Sequence, residues 1–474
     1  MNRNNFLLHL ALAIVLILVA AFAGQLNRWR KQWPKEMRIV HVEDKRVKTP
    51  EDIALRETNG FGRPEILVKF KSGVSNDALQ TLSERLNDRI EDRIENAPGW
   101  AAIDDLDNAD AAQTVAQYRA LPEVEYAEEN YEIAPIDSVE TGETEGSPLE
   151  PILPQDPQFG EQWALANVGQ RGGKQGADIS ATLAWATTTG SEDVVVAVLD
   201  SGVDYTHIDL AANMWMRPAN MDPYQDSELG TIDDVHGFNA VDNASDPMDQ
   251  NGHGTHCAGI VGAEGGNDIG IAGVNWKVRI MPLKFMNASG FGSTKDAIEA
   301  INYVIDRKKA GVNVRVISAS WGSTSKSRAL EDVIRKAYEN DILFVAAAGN
   351  SSVNNDRSPH YPSSYNVPNV VSVAALDRND QLASFSNYGV KSVAVAAPGK
   401  DILSTWLGNA YEEKSGTSMA TPFVSGVAAL IVAQNPGISV DDLRKRLVAA
   451  SDPIVALKGK VGSGGRVNAA KALE

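Results

Sequence analysis

Apolar segments of strand length recur along the C-terminal two thirds of the chain. Residues 194–199 read Val-Val-Val-Ala-Val-Leu, and shorter segments stand at 314–317 and 342–345. An unbroken apolar segment of this length fits a strand covered on both faces. Between these segments, 295–309 and 329–340 carry apolar residues at helical spacing. Strands separated by amphipathic helices predict an α/β fold over 156–474, a parallel central sheet with helices on both faces.

A smaller α/β unit is predicted ahead of it, at 65–134. Ile66-Leu67-Val68-Lys69-Phe70 reads as a strand closed by the turn residues Lys71-Ser72-Gly73. Leu79, Leu82, Leu86 and Ile90 share one face of a helix expected over 76–90, and a second helix is expected near 109–118. Residues 124–127 read as a closing strand. The stretch 135–155 is rich in Pro, Glu, Gly, Ser and Thr with almost no aromatic residues. Such a composition cannot bury a core, so it is expected to be an exposed linker and a site of proteolysis.

The N-terminus has a third pattern. Arg3 precedes an apolar run at 6–23, interrupted by His9 and ending in Ala21-Phe22-Ala23. This is the layout of a secretory signal peptide over 1–23. The run is also near the length of a membrane anchor, and Arg28, Arg30 and Lys31 after it resist translocation. Residues 24–64 form a polar spacer. On either reading the remainder is expected outside the cytoplasm, secreted or periplasmic, with the membrane a partner only through this segment.

Composition narrows the partners. The 474 residues exceed one ordinary domain, and 43% hydrophobic content excludes general disorder. A formal charge of −18 repels nucleic acid and anionic membrane surfaces. A monomer is expected. Cys257 is the single cysteine, so no intrachain disulfide can form and the compartment is not read from cysteine usage.

Three motifs lie at the ends of predicted elements. Asp200 closes the strand in Val198-Leu199-Asp200-Ser201-Gly202. His253 opens a helix-like segment in Asn251-Gly252-His253-Gly254-Thr255-His256-Cys257. Ser418 stands in Ser415-Gly416-Thr417-Ser418-Met419-Ala420-Thr421-Pro422, before apolar residues at helical spacing. A helix start favours developing negative charge there. A serine hydroxyl becomes a useful nucleophile when a neighbouring histidine takes its proton, and a carboxylate on the far ring nitrogen fixes the tautomer. Asn350, ending Ala347-Ala348-Gly349-Asn350, can donate its side-chain NH2 to an oxyanion. An esterase of the α/β-hydrolase type would need Gly-x-Ser-x-Gly and the order Ser, Asp, His. Here Ala420 replaces the second glycine and the order is Asp, His, Ser, which excludes it. A non-catalytic relative would lack a member of the set, whereas all three and Asn350 are present. His256 is expected to be a structural partner and Cys257 a small buried hydrophobe. His207 and His236 are left as surface or structural residues.

These motifs in this order resemble the subtilisin family of serine peptidases, and Cys257 points to its thermitase and proteinase K-like branch. The resemblance covers 156–474 and implies a serine endopeptidase acting on protein and peptide substrates, with Asp200, His253 and Ser418 as triad. It implies that Ser320-Trp321-Gly322 and Ala347-Ala348-Gly349 form the two walls of the S1 pocket, and that Gly290-Phe291-Gly292 pairs with an extended substrate. His360 stands where the family often has a small residue at the base of S1, which narrows the pocket or draws acidic side chains. The unit 65–134 resembles the family's inhibitory propeptide, which implies a self-processing precursor with its own propeptide as inhibitor. A structural calcium site is implied at Asp156, Asp209 and Asn267, completed by backbone carbonyls near Glu264, Ile269 and Ile271. A second acidic stretch, at Asp242 and Asp246, departs from the family's ligand pattern.

Overall fold

The computed structural model describes residues 66–474 apart from 95–96, 107–110, 136–150 and 228. All described residues belong to one compact unit, Arg63–Glu474. The expected signal peptide or anchor (1–23), the spacer (24–64) and most of the linker lie outside them.

The small domain is an antiparallel sheet, β1 (Ile66–Phe70), β2 (Asp88–Arg93), β3 (Trp100–Asp105) and β4 (Val124–Glu129), in the order β2-β3-β1-β4. Helices α1 (Asn76–Leu86) and α2 (Ala111–Arg119) cover one face. Alternation along β1 decides which side chain goes where. Ile66, Val68 and Phe70 meet Leu79, Leu82, Val115 and Tyr118 beneath the helices, while Leu67 points the other way with Trp100 and Ala102. The helix expected over 76–90 ends at Leu86, because Asn87 takes a left-handed φ of 60° and terminates it. Ile90 belongs instead to β2, a strand of sequence Asp-Arg-Ile-Glu-Asp-Arg whose charges hide its period from the sequence. The last strand, β5 (Glu132–Pro135), leaves this sheet for the large domain.

In chain order the large domain supplies β6 (Gly190–Asp200), β7 (Phe238–Asn239), α3 (His253–Gly262), β8 (Lys277–Lys284), β9 (Gly292–Ser293), α4 (Thr294–Lys309), β10 (Val314–Ala319) and β11 (Trp321–Gly322). Then follow α5 (Arg328–Glu339), β12 (Leu343–Ala347), β13 (Val370–Leu376), β14 (Val395–Pro398), α6 (Thr417–Gln434), β15 (Asp452–Pro453) and β16 (Gly465–Arg466). A nine-stranded sheet runs β15-β16-β14-β13-β12-β10-β6-β8-β7, parallel except for the β15–β16 pair. Both faces are covered, as the apolar runs require. Val194, Val196 and Val198 of β6 pack with α3 and α6, and Val195, Ala197 and Leu199 pack with α4 and α5. Helix α6 is buried from Thr417 to Val432, which explains a sequence apolar all round.

Candidate active site

The carboxyl ends of the central parallel strands converge on one place, the usual location of a site in an open α/β sheet. Asp200 ends β6, Ser320 follows β10, and Gly349-Asn350 follow β12. His253 is the first residue of α3 and Ser418 the second of α6. His253 Nδ1 lies 2.7 Å from Asp200 Oδ1, with the aspartate fully buried and the histidine nearly so. The backbone N–H of Ser201 donates to the same carboxylate oxygen at 2.8 Å. Asp249 braces the pair from behind. It accepts from Ser201 Oγ at 2.9 Å and, at the start of α3, from the Gly252 and Thr255 amides at 3.0 Å each. Gly254 has no room for a side chain, since a Cβ there would overlap the carbonyl of Gly202.

The Ser418 hydroxyl donates to the Ser320 carbonyl at 2.8 Å, and Ser320 Oγ donates back to the Ser418 carbonyl at 2.8 Å. Cys257, one turn beyond His253, has its sulfur 3.6 Å from the same carbonyl. The two helix starts are therefore adjacent, and Cys257 is buried as the small hydrophobe expected. His256 is buried too, its Nε2 at 3.0 Å from the carbonyls of both Ile402 and Glu412, and burial holds its pKa down to about 3. It is a neutral structural group. His207 is likewise structural, with Nε2 3.1 Å from the Ala410 carbonyl.

Asn350 is oriented by Thr417. Its Oδ1 accepts from the Thr417 amide at 2.9 Å and from the Thr417 hydroxyl at 2.8 Å. That fixes the amide with its NH2 directed away from Thr417. The backbone N–H of Ser418, in the first turn of α6, has no carbonyl four residues back within the helix. Thr417 lies within the serine motif and Ser201 within the aspartate motif, yet their residue types there, like that of Asp249, signal no role. Their task is second-hand positioning, which no motif chemistry announces.

Strand β5 occupies a groove beside these residues. It pairs antiparallel with β9, Ile133 opposite Gly292 and Glu132 opposite Ser293. On its other edge Ala134 lies opposite Gly322 and Pro135 opposite Trp321. Gly290 stands outside the pairing, at a left-handed φ of 81° in the preceding turn. Trp321 offers the groove its backbone alone. Its ring is buried between Phe285 and Phe344, and the indole N–H donates to the Leu199 carbonyl at 2.8 Å. Ala347 and Ala348 are buried at the end of β12, and His360 lies between Gly322 and Gly349.

The small domain grips the large one through Glu128, which is fully buried. Its carboxylate accepts from Ser327 Oγ, from the Arg328 amide at 3.1 Å and from the Ala329 amide at 3.5 Å, all at the N-terminus of α5. Burial pushes this carboxyl above its usual range, against the pull of those bonds and of the Arg328 charge. Asp332 accepts from Lys69 Nζ at 3.1 Å and Trp100 Nε1 at 3.3 Å, and the Arg328 guanidinium lies 4.2 Å over the Tyr126 ring.

The residues of the expected calcium site do come together. Asp156 accepts from the Gly266 and Asn267 amides at 2.8 and 3.1 Å. Asp209 accepts from Asn267 Nδ2 at 3.0 Å, from the Ile271 amide at 2.9 Å and from the Tyr411 hydroxyl at 3.1 Å. The Ile269 amide donates to Asn267 Oδ1 at 2.8 Å, and the Glu264 amide donates to the Asp209 carbonyl at 2.9 Å. Burial pushes both carboxyls above their usual range; Asp268 raises Asp156 further, and Asp156 raises Asp209. Two buried carboxyls that repel each other would be relieved by a hard divalent cation, which would displace some of the N–H and O–H donors they now accept from. Near Asp242, Asp246 and Asp249 the arrangement differs. The Lys284 ammonium donates to the Met248 carbonyl at 2.9 Å and Gln250 Oε1 at 3.1 Å, so this acidic stretch already holds a cation of its own.

Comparison with known proteins bears on most of the chain. The pattern described as Subtilase family matches residues 191–467, and that of the fervidolysin N-terminal prodomain matches 48–130. A thermophilic serine proteinase of Bacillus sp. (strain AK1) is 35% identical over 418 residues, 88% of this chain and 89% of that protein. Thermitase of Thermoactinomyces vulgaris is 38% identical over 296 residues, 62% of this chain and 94% of its own length. A halolysin-like extracellular serine protease of Natrialba magadii is 33% identical over 328 residues, 68% of this chain and 54% of that protein.

Proposed function

The chain belongs to the subtilase family and is a subtilisin-like serine protease with an N-terminal prodomain, and from that premise we propose that it is a secreted endopeptidase that matures by cutting itself. Ser418 Oγ attacks the scissile carbonyl and passes its proton to His253 Nε2, while Nδ1–H donates to Asp200. Asn350 Nδ2 and the Ser418 amide take the oxyanion. The C–N bond breaks as the imidazolium returns its proton to the leaving amine, and water then releases the acyl group by the reverse sequence. Secretion is supported by the N-terminal pattern at 1–23 and by the relative described as extracellular.

The observation that carries the reading is the position of β5. An extended peptide binds such a groove as an added strand, and the end of the prodomain lies in it with antiparallel register against Gly292 and Gly322. Counting on from Pro135 opposite Trp321, the next residue of a bound chain would face Ser320 and with it Ser418. The first cut is therefore expected after residue 136. A full-length Ser418→Ala chain, purified away from other proteases, should stay intact, and wild-type product should begin at residue 137. A Ser418→Ala chain that still sheds its prodomain would sink the reading.

Calcium is proposed as a structural ion at Asp156, Asp209 and Asn267, with the carbonyls of Glu264, Ile269 and Ile271. Bound there it would neutralise two buried carboxylates and tie the start of the domain to the loop after α3.

A further inference from the structure

Thr417 holds the side chain of Asn350, and a second asparagine holds the main chain around it. Asn387 is buried in the turn between β13 and β14. Its Oδ1 accepts from the Ser351 amide at 2.9 Å and from the Val353 amide at 3.2 Å. Its Nδ2 donates to the Ala348 carbonyl at 3.1 Å and to Asn355 Oδ1 at 3.0 Å. One short side chain therefore bonds the main chain both before and after Asn350. The Asn387 backbone amide adds a bond to the Gly349 carbonyl at 2.8 Å.

The amide of Asn387 can face only one way. Backbone N–H groups need an acceptor and a carbonyl needs a donor, so Oδ1 must meet Ser351 and Val353 while Nδ2 meets Ala348. Asn355, also buried, repeats one contact, its Nδ2 donating to the Ala348 carbonyl at 2.7 Å. Gly349 shows how closely Asn387 approaches. It takes a left-handed φ of 109°, and a Cβ there would overlap Asn387 Nδ2. A brace is needed here because the chain leaves the sheet at once. Strand β12 ends at Ala347, and Ser351 and Ser352 are already exposed. Two backbone bonds, Ser352 N–H to the Phe385 carbonyl at 2.7 Å and Tyr388 N–H to the Val353 carbonyl at 3.0 Å, join the same two segments. Loss of the Asn387 side chain would thus loosen the turn without detaching it.

Resting on the oxyanion role proposed for Asn350, we infer that Asn387 is a positioning residue for that donor. Thr417 bonds the Asn350 side-chain oxygen and, at 3.1 Å, the Gly349 amide. The chain beyond residue 350 is bonded by Asn387 Oδ1, which sets the direction in which Asn350 leaves β12 and so where its Nδ2 stands. A donor stabilises the oxyanion only at hydrogen-bond distance from the place where that charge develops, and a displacement of about 1 Å can cost about 10²-fold in rate.

The test is a double-mutant cycle in the mature enzyme. Asn387→Ala should lower kcat by about tenfold to a hundredfold, with KM changed by less than about threefold. In an Asn350→Ala background the same substitution should lower kcat by less than about twofold, because the donor it positions is gone. The pH profile of kcat/KM should keep its midpoints, since the bonds of Asn387 run to Ala348, Gly349, Ser351, Val353 and Asn355 and not to the triad. Asn387→Ser, shorter yet polar, carries the same cycle if the alanine variant folds poorly. An unchanged kcat in the single variant, or a loss confined to KM, would overturn the inference. So would an equal loss in both backgrounds, which marks Asn387 as merely structural, or a shifted pH profile, which places its effect at the triad. Failure of the underlying reading looks different, because Asn350→Ala alone would then leave kcat unchanged.

Discussion

The prodomain and the catalytic domain are both α/β, yet they secure their cores in different ways. The catalytic sheet covers each of its faces with its own helices, α3 and α6 on one side and α4 and α5 on the other. The prodomain covers one face with α1 and α2, and its other face, carrying Leu67, Trp100 and Ala102, packs into the cluster formed by α4 and α5. A domain that borrows half its cover from a partner is stable mainly while bound, whereas the partner can outlast it. The same asymmetry holds for polar groups. Buried carboxylates of the catalytic domain are met from within, as Asp200 is by Ser201 and His253, while Glu128 is met by Ser327, Arg328 and Ala329 across the boundary.

The largest effect expected on the self-contained side is chemical. Asn350→Ala should lower kcat by about 10²–10³, the loss found on removing such a donor in a subtilisin, with little change in KM. Steady-state kinetics on the mature enzyme check it, and unchanged kcat would remove Asn350 from the oxyanion site.

On the borrowed side, Glu128→Ala should weaken inhibition by the 65–135 segment added in trans by about tenfold to a hundredfold, because it strips a charged acceptor from the start of α5. An inhibition constant equal to the native segment's would mean that the contact contributes little.

Removal of calcium should lower the melting temperature of the mature domain by roughly 5–10 °C if the ion is present at about 100 times its dissociation constant. Asp209→Ala should melt like the chelated enzyme. Identical melting with calcium and with chelator would show that Asp156 and Asp209 hold no ion.

The smallest effect is a pH slope. The Glu128 carboxyl is raised in the complex by burial, so the complex holds that proton more tightly than the released segment does. Association should be strongest below the ordinary carboxylate pKa and weaken as pH rises through it to the raised value, then level off. Glu128→Gln should flatten the curve of inhibition constant against pH, and an unchanged slope would assign the dependence to another group.

Much of the site was legible because its chemistry depends on residue type. Asp200, His253, Ser418 and Asn350 each sit at the end of a regular element, where an abrupt change from apolar to polar marks them in the sequence. The supporting residues were not legible. Thr417, Ser201 and Asp249 act through hydrogen bonds to partners distant in the chain, Ser201 and Asp249 being 48 positions apart. Strand β2 was hidden by its charges, and the true end of α1 was set by one asparagine in a left-handed conformation.

The apolar runs at 194–199, 314–317 and 342–345, together with the amphipathic segments between them, determined that the chain would build a parallel sheet buried on both faces, because strands apolar on both sides must be covered on both and a helical crossover returns each one parallel to its neighbour. Local order along the chain also determined which residue types stand at the strand and helix ends. Tertiary structure alone decided that β5 would lie between Gly292 and Gly322, that Glu128 would reach the start of α5, and that the His360 ring would span two glycine walls. Each of these joins segments far apart in sequence. Their geometry depends on how the two domains and the strand ends pack, and no short-range periodicity encodes that.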